Sequence, residues 1–154
     1  MAGSNSYESS KSLVVAKMIS GRYRCEYLTR HWTPSNREGF CLSQSCEKIK
    51  GDLTHLLVQC PAIDRTRKRL FNLLITKTND KPLLNSHIKM ILSSSAEIVA
   101  QFLLDPLHME ETRRILGSDE ELTKHIFCLT RTVIFYIHKE KMTSLGLWPS
   151  KQLK

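Results

Sequence analysis

Nowhere in these 154 residues does one aspartate follow another, no glycine-rich loop leads into a phosphate-binding lysine, and no Gly-x-Ser-x-Gly elbow occurs. Each absence excludes a chemistry. Template-directed polymerases present an aromatic-x-Asp-Asp segment, because their two metal ions need adjacent carboxylates. Nucleotide-binding loops and serine hydrolases need the other two patterns. The paired acids that do occur, Glu110-Glu111 and Glu120-Glu121, sit near helix starts, where the helix dipole explains them. The chain therefore reads as non-enzymatic. Long apolar runs are missing too: uncharged stretches such as 53–62 and 98–104 fall far short of the roughly 18 apolar residues of a membrane-spanning helix. The polar start, 1–12, lacks the apolar centre of a secretory signal. Strand-length alternation and internal repeats are also lacking. Five cysteines leave one over in any disulfide scheme, so the expectation is an intracellular protein with reduced thiols.

Hydrophobic residues make up 41% and charged residues 25%, which permits a buried core in one domain, or one domain with a tail. The net charge is +8 and unevenly spread: residues 1–75 hold 12 basic and 6 acidic side chains, residues 76–154 hold 11 and 9. A basic front half favours polyanionic partners, nucleic acid first.

Helical periodicity dominates. Residues 1–12 read as a disordered N-terminal tail, rich in Ser, Gly and Asn. Leu13, Val14, Ala16, Ile19 and Tyr23 then have helical spacing, with Gly21 as an interruption. Thr33 to Gly39 reads as a loop, and Cys41 to Cys46 as a small hairpin. Pro61 suits the first position of a helix running to Lys77, and 79–85 looks like a connector. Ser94-Ser95-Ala96-Glu97 has capping-box spacing for a helix that Asp105-Pro106 ends. Ser118 to Glu121 repeats that spacing before Leu122, Ile126, Leu129, Val133 and Ile137, one apolar stripe of a helix reaching about Thr143 and ended by Gly146. The expected fold is mostly α. A small CCHC zinc knuckle lies within a basic helical segment, 13–77, and joins a helical region, 78–154, that ends in one long helix.

The sharpest pattern is Cys41-x4-Cys46-x8-His55-x4-Cys60. Three thiolates and an imidazole within twenty residues suit one structural Zn2+ per chain, with no open position for catalysis. On one continuous α-helix, residues five apart stand about 140° from each other, so the helix carrying His55 must end before Cys60. Pro61 predicts that break, which puts the ion at a joint between two helices. Gly51 is expected to let the loop turn, and Lys48 and Lys50 to offset the site's negative charge. The competing reading makes Cys41 and Cys46 ordinary small residues and lets His55 and Cys60 line a helix face. Cys25 and Cys128 read as core thiols, and His87, His108, His125 and His138 as surface or satisfied core histidines.

After Pro61, Arg65, Lys68, Arg69 and Asn72 line one side of the helix, while Arg67 falls on the apolar side, to snorkel or pair with an acid. The stripe is either a phosphate-binding surface or an ordinary solvated face. Arg22, Arg24, Arg30 and His31 interleave with Tyr23, Tyr27 and Trp32. Such rings either stack on unpaired bases or belong to the core with arginines at their border.

Gly21-Arg22-Tyr23-Arg24 with Arg30-His31-Trp32, followed by Cys41, Cys46, His55, Cys60 and Pro61, resembles the carboxy-terminal zinc-knuckle region of non-LTR retrotransposon polyproteins. Gln101-Phe102-Leu103-Leu104-Asp105-Pro106, Leu129-Thr130-Arg131-Thr132, Ile137-His138-Lys139-Glu140 and Leu145-Gly146-Leu147-Trp148 are similar to the tail of invertebrate members. The likeness runs from about Lys17 to Trp148. It implies zinc on Cys41, Cys46, His55 and Cys60, and a role in holding RNA or DNA. The family's reverse transcriptase lies upstream and is absent here, which implies a fragment of an element or a separately encoded remnant. The leading expectation is thus a zinc-dependent nucleic-acid-binding domain that contacts phosphates and unpaired bases through Arg22, Arg24, Arg30, Trp32, Arg65, Lys68 and Arg69. The alternative is a helical protein-interaction module with a purely structural zinc site, presenting the apolar stripe of the long helix to a partner.

Overall fold

The computed structural model describes residues 2–23, 25–26 and 30–148, with backbone alone for residues 2–10 and Trp32. Among these, six α-helices account for most of the chain, and the β-structure is a single antiparallel bridge, Phe40 to Lys50. The helices are α1 (Ala2–Ile19), α2 (Asp64–Lys77), α3 (Pro82–Leu92), α4 (Ala96–Leu104), α5 (Glu110–Leu116) and α6 (Glu120–Ser144). No helix among the described residues is long and apolar enough to cross a membrane.

The long helix expected at the end is α6, 25 residues and about 37 Å at 1.5 Å each. Its cap is Asp119, one residue later than the Ser118 spacing suggests: the Asp119 carboxylate accepts the Leu122 N–H at 3.0 Å. Gly146, at φ 74°, turns the chain away beyond its last turn. Ile126, Val133, Ile134 and Ile137 are fully buried, because α1, α2 and α4 all pack on this helix. Residues 13–77 and 78–154 consequently share one core, in which Leu57, Ile63, Leu74, Ile88, Phe102 and Leu103 meet the α6 stripe.

Four local expectations differ from what forms. The helix α1 continues back through 2–12, the segment expected as a disordered tail, so the break lies only at its other end near Gly21. Its buried side is Lys11, Val14, Val15 and Met18, whereas Leu13 and Ile19 are exposed. The i, i+3, i+4, i+7 set wins because α6 lies along it, and Lys11 Nζ reaches Thr132 Oγ1 at 3.2 Å. The connector expected over 79–85 is shorter, since Pro82 opens α3 and Leu84, Ile88 and Ile91 pack inward. Asn85 also donates to the Ile75 carbonyl at 2.7 Å, closing the end of α2. Finally, α4 starts at Ala96 as expected, but without the side-chain cap: Ser94 instead donates to Met90 at the end of α3.

Candidate metal centre

The knuckle is built from local hydrogen bonds. The Asn36 side chain brackets Phe40, donating to its carbonyl at 2.7 Å and accepting its N–H at 3.0 Å. The Cys41 amide donates to Ile49 at 2.7 Å, and that of Gly51 to Gly39 at 2.8 Å, so the expected reversal spans 40–50 and encloses Cys46. Lys48 makes the turn in the left-handed region, at φ 56°. Gly51 is required by proximity: a Cβ there would lie 2.9 Å from Glu26 Cβ and 3.1 Å from Cys41 Cα. Asp52 then starts the next turn, its carboxylate accepting the His55 N–H at 2.8 Å.

Residues His55–Gln59 form one turn of π-helix, closed by the Cys60 N–H on the His55 carbonyl at 2.7 Å. The helix does end before Cys60, which is extended (φ −60°, ψ 115°), as a residue before proline should be. The i→i+5 bond is what the α-helical wheel omits: it places residue 60 beside residue 55 and lets both face one point. A short 3-10 turn, Pro61–Ile63, leads into α2.

The Sγ atoms of Cys41, Cys46 and Cys60 and a His55 ring nitrogen all lie within 4.8 Å of one another, and all four residues are buried. Cys60 Sγ stands 3.9 Å from Cys41 Sγ and 3.7 Å from Cys46 Sγ, and all five cysteines are free. A tetrahedral ion with ~2.3 Å bonds to sulfur sets its sulfurs ~3.8 Å apart, so the separations fit. His55 is 3% exposed, yet neither ring nitrogen has a hydrogen-bond partner. Orphaned buried nitrogens are costly, and a bound cation satisfies one of them. Burial pushes the Cys46 thiol up to about 12, with hydrogen bonds to Cys60 and Cys41 adding to it. For Cys60, burial is outweighed by the Ala62 amide, Lys141 and bonds with Cys46 and Ser43, which hold it below the ordinary thiol value. A bound metal cation would deprotonate a thiol that coordinates it. The competing reading, with Cys41 and Cys46 as ordinary small residues and His55 and Cys60 lining a helix face, does not account for the convergence of all four on one point.

Two residues complete the centre from a distance. Lys141, in the last turn of α6, is 2% exposed, and its Nζ lies 2.7 Å from Cys41 Sγ, 2.9 Å from Ser43 Oγ, 3.3 Å from Glu26 Oε1 and 3.8 Å from Cys60 Sγ. Burial alone would lower its pKa, but the Cys41 hydrogen bond and the charges of Glu26 and Cys60 outweigh it and hold the ammonium above its ordinary value. This is the cation that offsets the site. Lys48 and Lys50, expected in that role, are exposed, and Lys50 lies 4.0 Å from Asp52. Arg67 is buried and donates to the carbonyls of Leu57 (3.0 Å), Leu56 (3.3 Å) and Cys60 (2.9 Å), besides pairing with Asp64 at 3.6 Å. Both residues left a signal in the sequence: each is a charge set on an apolar helical stripe, Arg67 between Ile63 and Leu70, and Lys141 four positions after Ile137.

The outer side of α2 carries Arg65, Lys68, Arg69 and Asn72, all exposed as expected, with Lys68 paired to Asp64 at 2.8 Å. Arg22 is exposed after Gly21. Arg30 is half-buried and engaged within the protein. Arg24, Tyr27 and the Trp32 side chain lie outside the described residues. Tyr23 belongs to the core: it is 5% exposed and bonded through its hydroxyl to His138 Nδ1 at 2.7 Å. His87 is likewise satisfied, by Thr112 at 2.7 Å, while His108 and His125 are exposed. Cys25 is a core thiol as expected; Cys128 is instead exposed. No family model, curated protein or solved structure matches the chain.

Proposed function

We propose that this chain is a non-catalytic helical domain, stabilised by one structural Zn2+ on Cys41, Cys46, His55 and Cys60, that binds nucleic acid through phosphate contacts. The observation that carries the reading is the convergence of three sulfurs and an orphaned imidazole within 4.8 Å. Three thiolates and one histidine are a zinc donor set, and four protein ligands leave the ion no open position. Bound there, zinc supplies folding free energy by joining the 40–50 turn, the π turn and the start of α2. Arg65, Lys68 and Arg69 stand on the exposed side of the helix that leaves this joint, Arg22 is exposed near the end of α1, and the chain carries +8. Such side chains hold a polyanion without reading its sequence. The resemblance to the zinc-knuckle region of retrotransposon polyproteins points the same way. Ile126, Leu129, Val133 and Ile137 are buried inside the fold and Leu122 is half-buried, which weighs against the alternative that this stripe receives a partner.

Metal analysis and nucleic-acid binding test the two halves separately. Purified protein should hold about one zinc per chain, and Cys46→Ser and His55→Ala should lose both metal and ordered helix. Filter binding with single-stranded RNA and DNA should weaken steeply as salt rises, since each neutralised phosphate releases counterions. Zinc-loaded protein with no affinity at low salt would reject nucleic-acid binding and leave the metal centre standing.

A further inference from the structure

We propose that Lys141 is a positioning residue for the metal centre: its ammonium orients the sulfurs of Cys41 and Cys60 and fastens the last turns of α6 to the knuckle, so that metal retention depends on a residue 81 positions beyond the last ligand. The inference rests on the metal reading above. A lysine ammonium has three donors and no acceptor. Here they are offered to Cys41 Sγ (2.7 Å), Ser43 Oγ (2.9 Å), Glu26 Oε1 (3.3 Å) and Cys60 Sγ (3.8 Å), all on the knuckle side, with 2% of the residue exposed. Glu26 is held in turn: its Oε1 accepts the Leu42 N–H at 3.1 Å, and the missing side chain of Gly51 leaves it room. Three thiolates and a neutral imidazole around a divalent ion sum to −1, and a buried net charge needs a nearby partner. Hydrogen bonds to ligand atoms fix their direction and tune their electron density, and losing such a partner typically weakens metal binding about 10- to 100-fold.

The test compares wild type, Lys141→Met and Lys141→Gln as full chains loaded with zinc, reading zinc release to a chromogenic chelator and sulfur alkylation by iodoacetamide. Release and alkylation should be about 10- to 100-fold faster for Lys141→Met, with Lys141→Gln between, because the amide keeps N–H donors without the charge. In the cobalt(II)-loaded chains, the sulfur-to-metal charge-transfer band should move to longer wavelength as the donor is lost, a shift that a purely structural role would not cause. Wild-type rates and an unmoved band in Lys141→Met overturn the proposal while the metal reading stands; wild type that binds no zinc overturns both. Should Lys141→Met fail to fold, Glu26→Gln withdraws only the carboxylate that anchors the lysine. It should accelerate release in the same direction, and wild-type release there overturns the proposal.

Discussion

Arg67 illustrates how a single side chain can be worth more than its charge. Its guanidinium fills a space inside the core and serves three carbonyl oxygens, of Leu56, Leu57 and Cys60, at the end of the π turn. Removing a buried donor strands each acceptor at a cost of about 1–3 kcal/mol. Arg67→Met keeps most of the volume, so it isolates the lost bonds, and it should cost about 3 kcal/mol or more in urea unfolding at saturating zinc. A loss below about 1 kcal/mol would mean that solvent or other donors reach those carbonyls. Gly51 is the opposite case, where anything added is too much. A Cβ at 2.9 Å from Glu26 Cβ and 3.1 Å from Cys41 Cα must push Glu26 aside and crowd the backbone of Cys41. Gly51→Ala is expected to destabilise the fold by about 1–3 kcal/mol, the usual range for overpacking, and to speed zinc release. Unchanged unfolding and release would show that Glu26 can step aside.

At the level of elements, the sequence made α2, α4 and α6 readable because each has an apolar stripe of helical period and a turn signal at one end or both. It did not specify which neighbouring polar residue caps. Ser118 and Asp119 both precede α6, but it is Asp119, with extended backbone (φ −76°, ψ 92°), whose carboxylate accepts the Leu122 N–H. Asp119→Ala should therefore cost about 1 kcal/mol and Ser118→Ala nearly nothing, measurable as separate thermal unfolding midpoints. The reverse pattern, with the loss at Ser118→Ala, would place the cap one residue earlier. The four residues that cluster, Cys41, Cys46, His55 and Cys60, were legible from spacing, since cysteine and histidine carry their chemistry with them. Their mutual geometry was not, because a wheel of 3.6 residues per turn sets His55 and Cys60 far apart, whereas the i→i+5 bond closes them together. Lys141 was harder still: a lysine near a helix end has a sufficient local explanation in the helix dipole. Its place four positions after Ile137 is the one sequence signal against that explanation, and the packing of α6 against the knuckle turns it inward.

Across the whole molecule, the segment after α1, the middle of α6 and the last described residues meet at one histidine. His138 accepts from or donates to the Tyr23 hydroxyl at 2.7 Å, and its ring meets Trp148 edge-on at 6.1 Å. Burial first, and then the charge of Lys17, lower its pKa from 6.5 to about 4. The folded state thus keeps this imidazole neutral where the unfolded chain would already bind a proton. Linkage gives the sign: stability from this residue is complete above pH 6.5 and is lost as pH falls from there towards 4. The slope is at most about 1.4 kcal/mol per pH unit, the value for one proton. A metal ion held by Cys41, Cys46, His55 and Cys60 would also be lost over acidic pH, so the pH profile of wild type alone does not isolate His138. Its share is the difference between wild type and His138→Gln, which retains a polar partner for Tyr23 and cannot titrate. Wild type should lose stability relative to the variant between pH 6.5 and 4, and the two curves should run parallel above that window. Curves that stay parallel down to pH 4 would mean that the Tyr23–His138–Trp148 junction opens to water before the fold gives way, and that the three segments are held together by the α6 core instead.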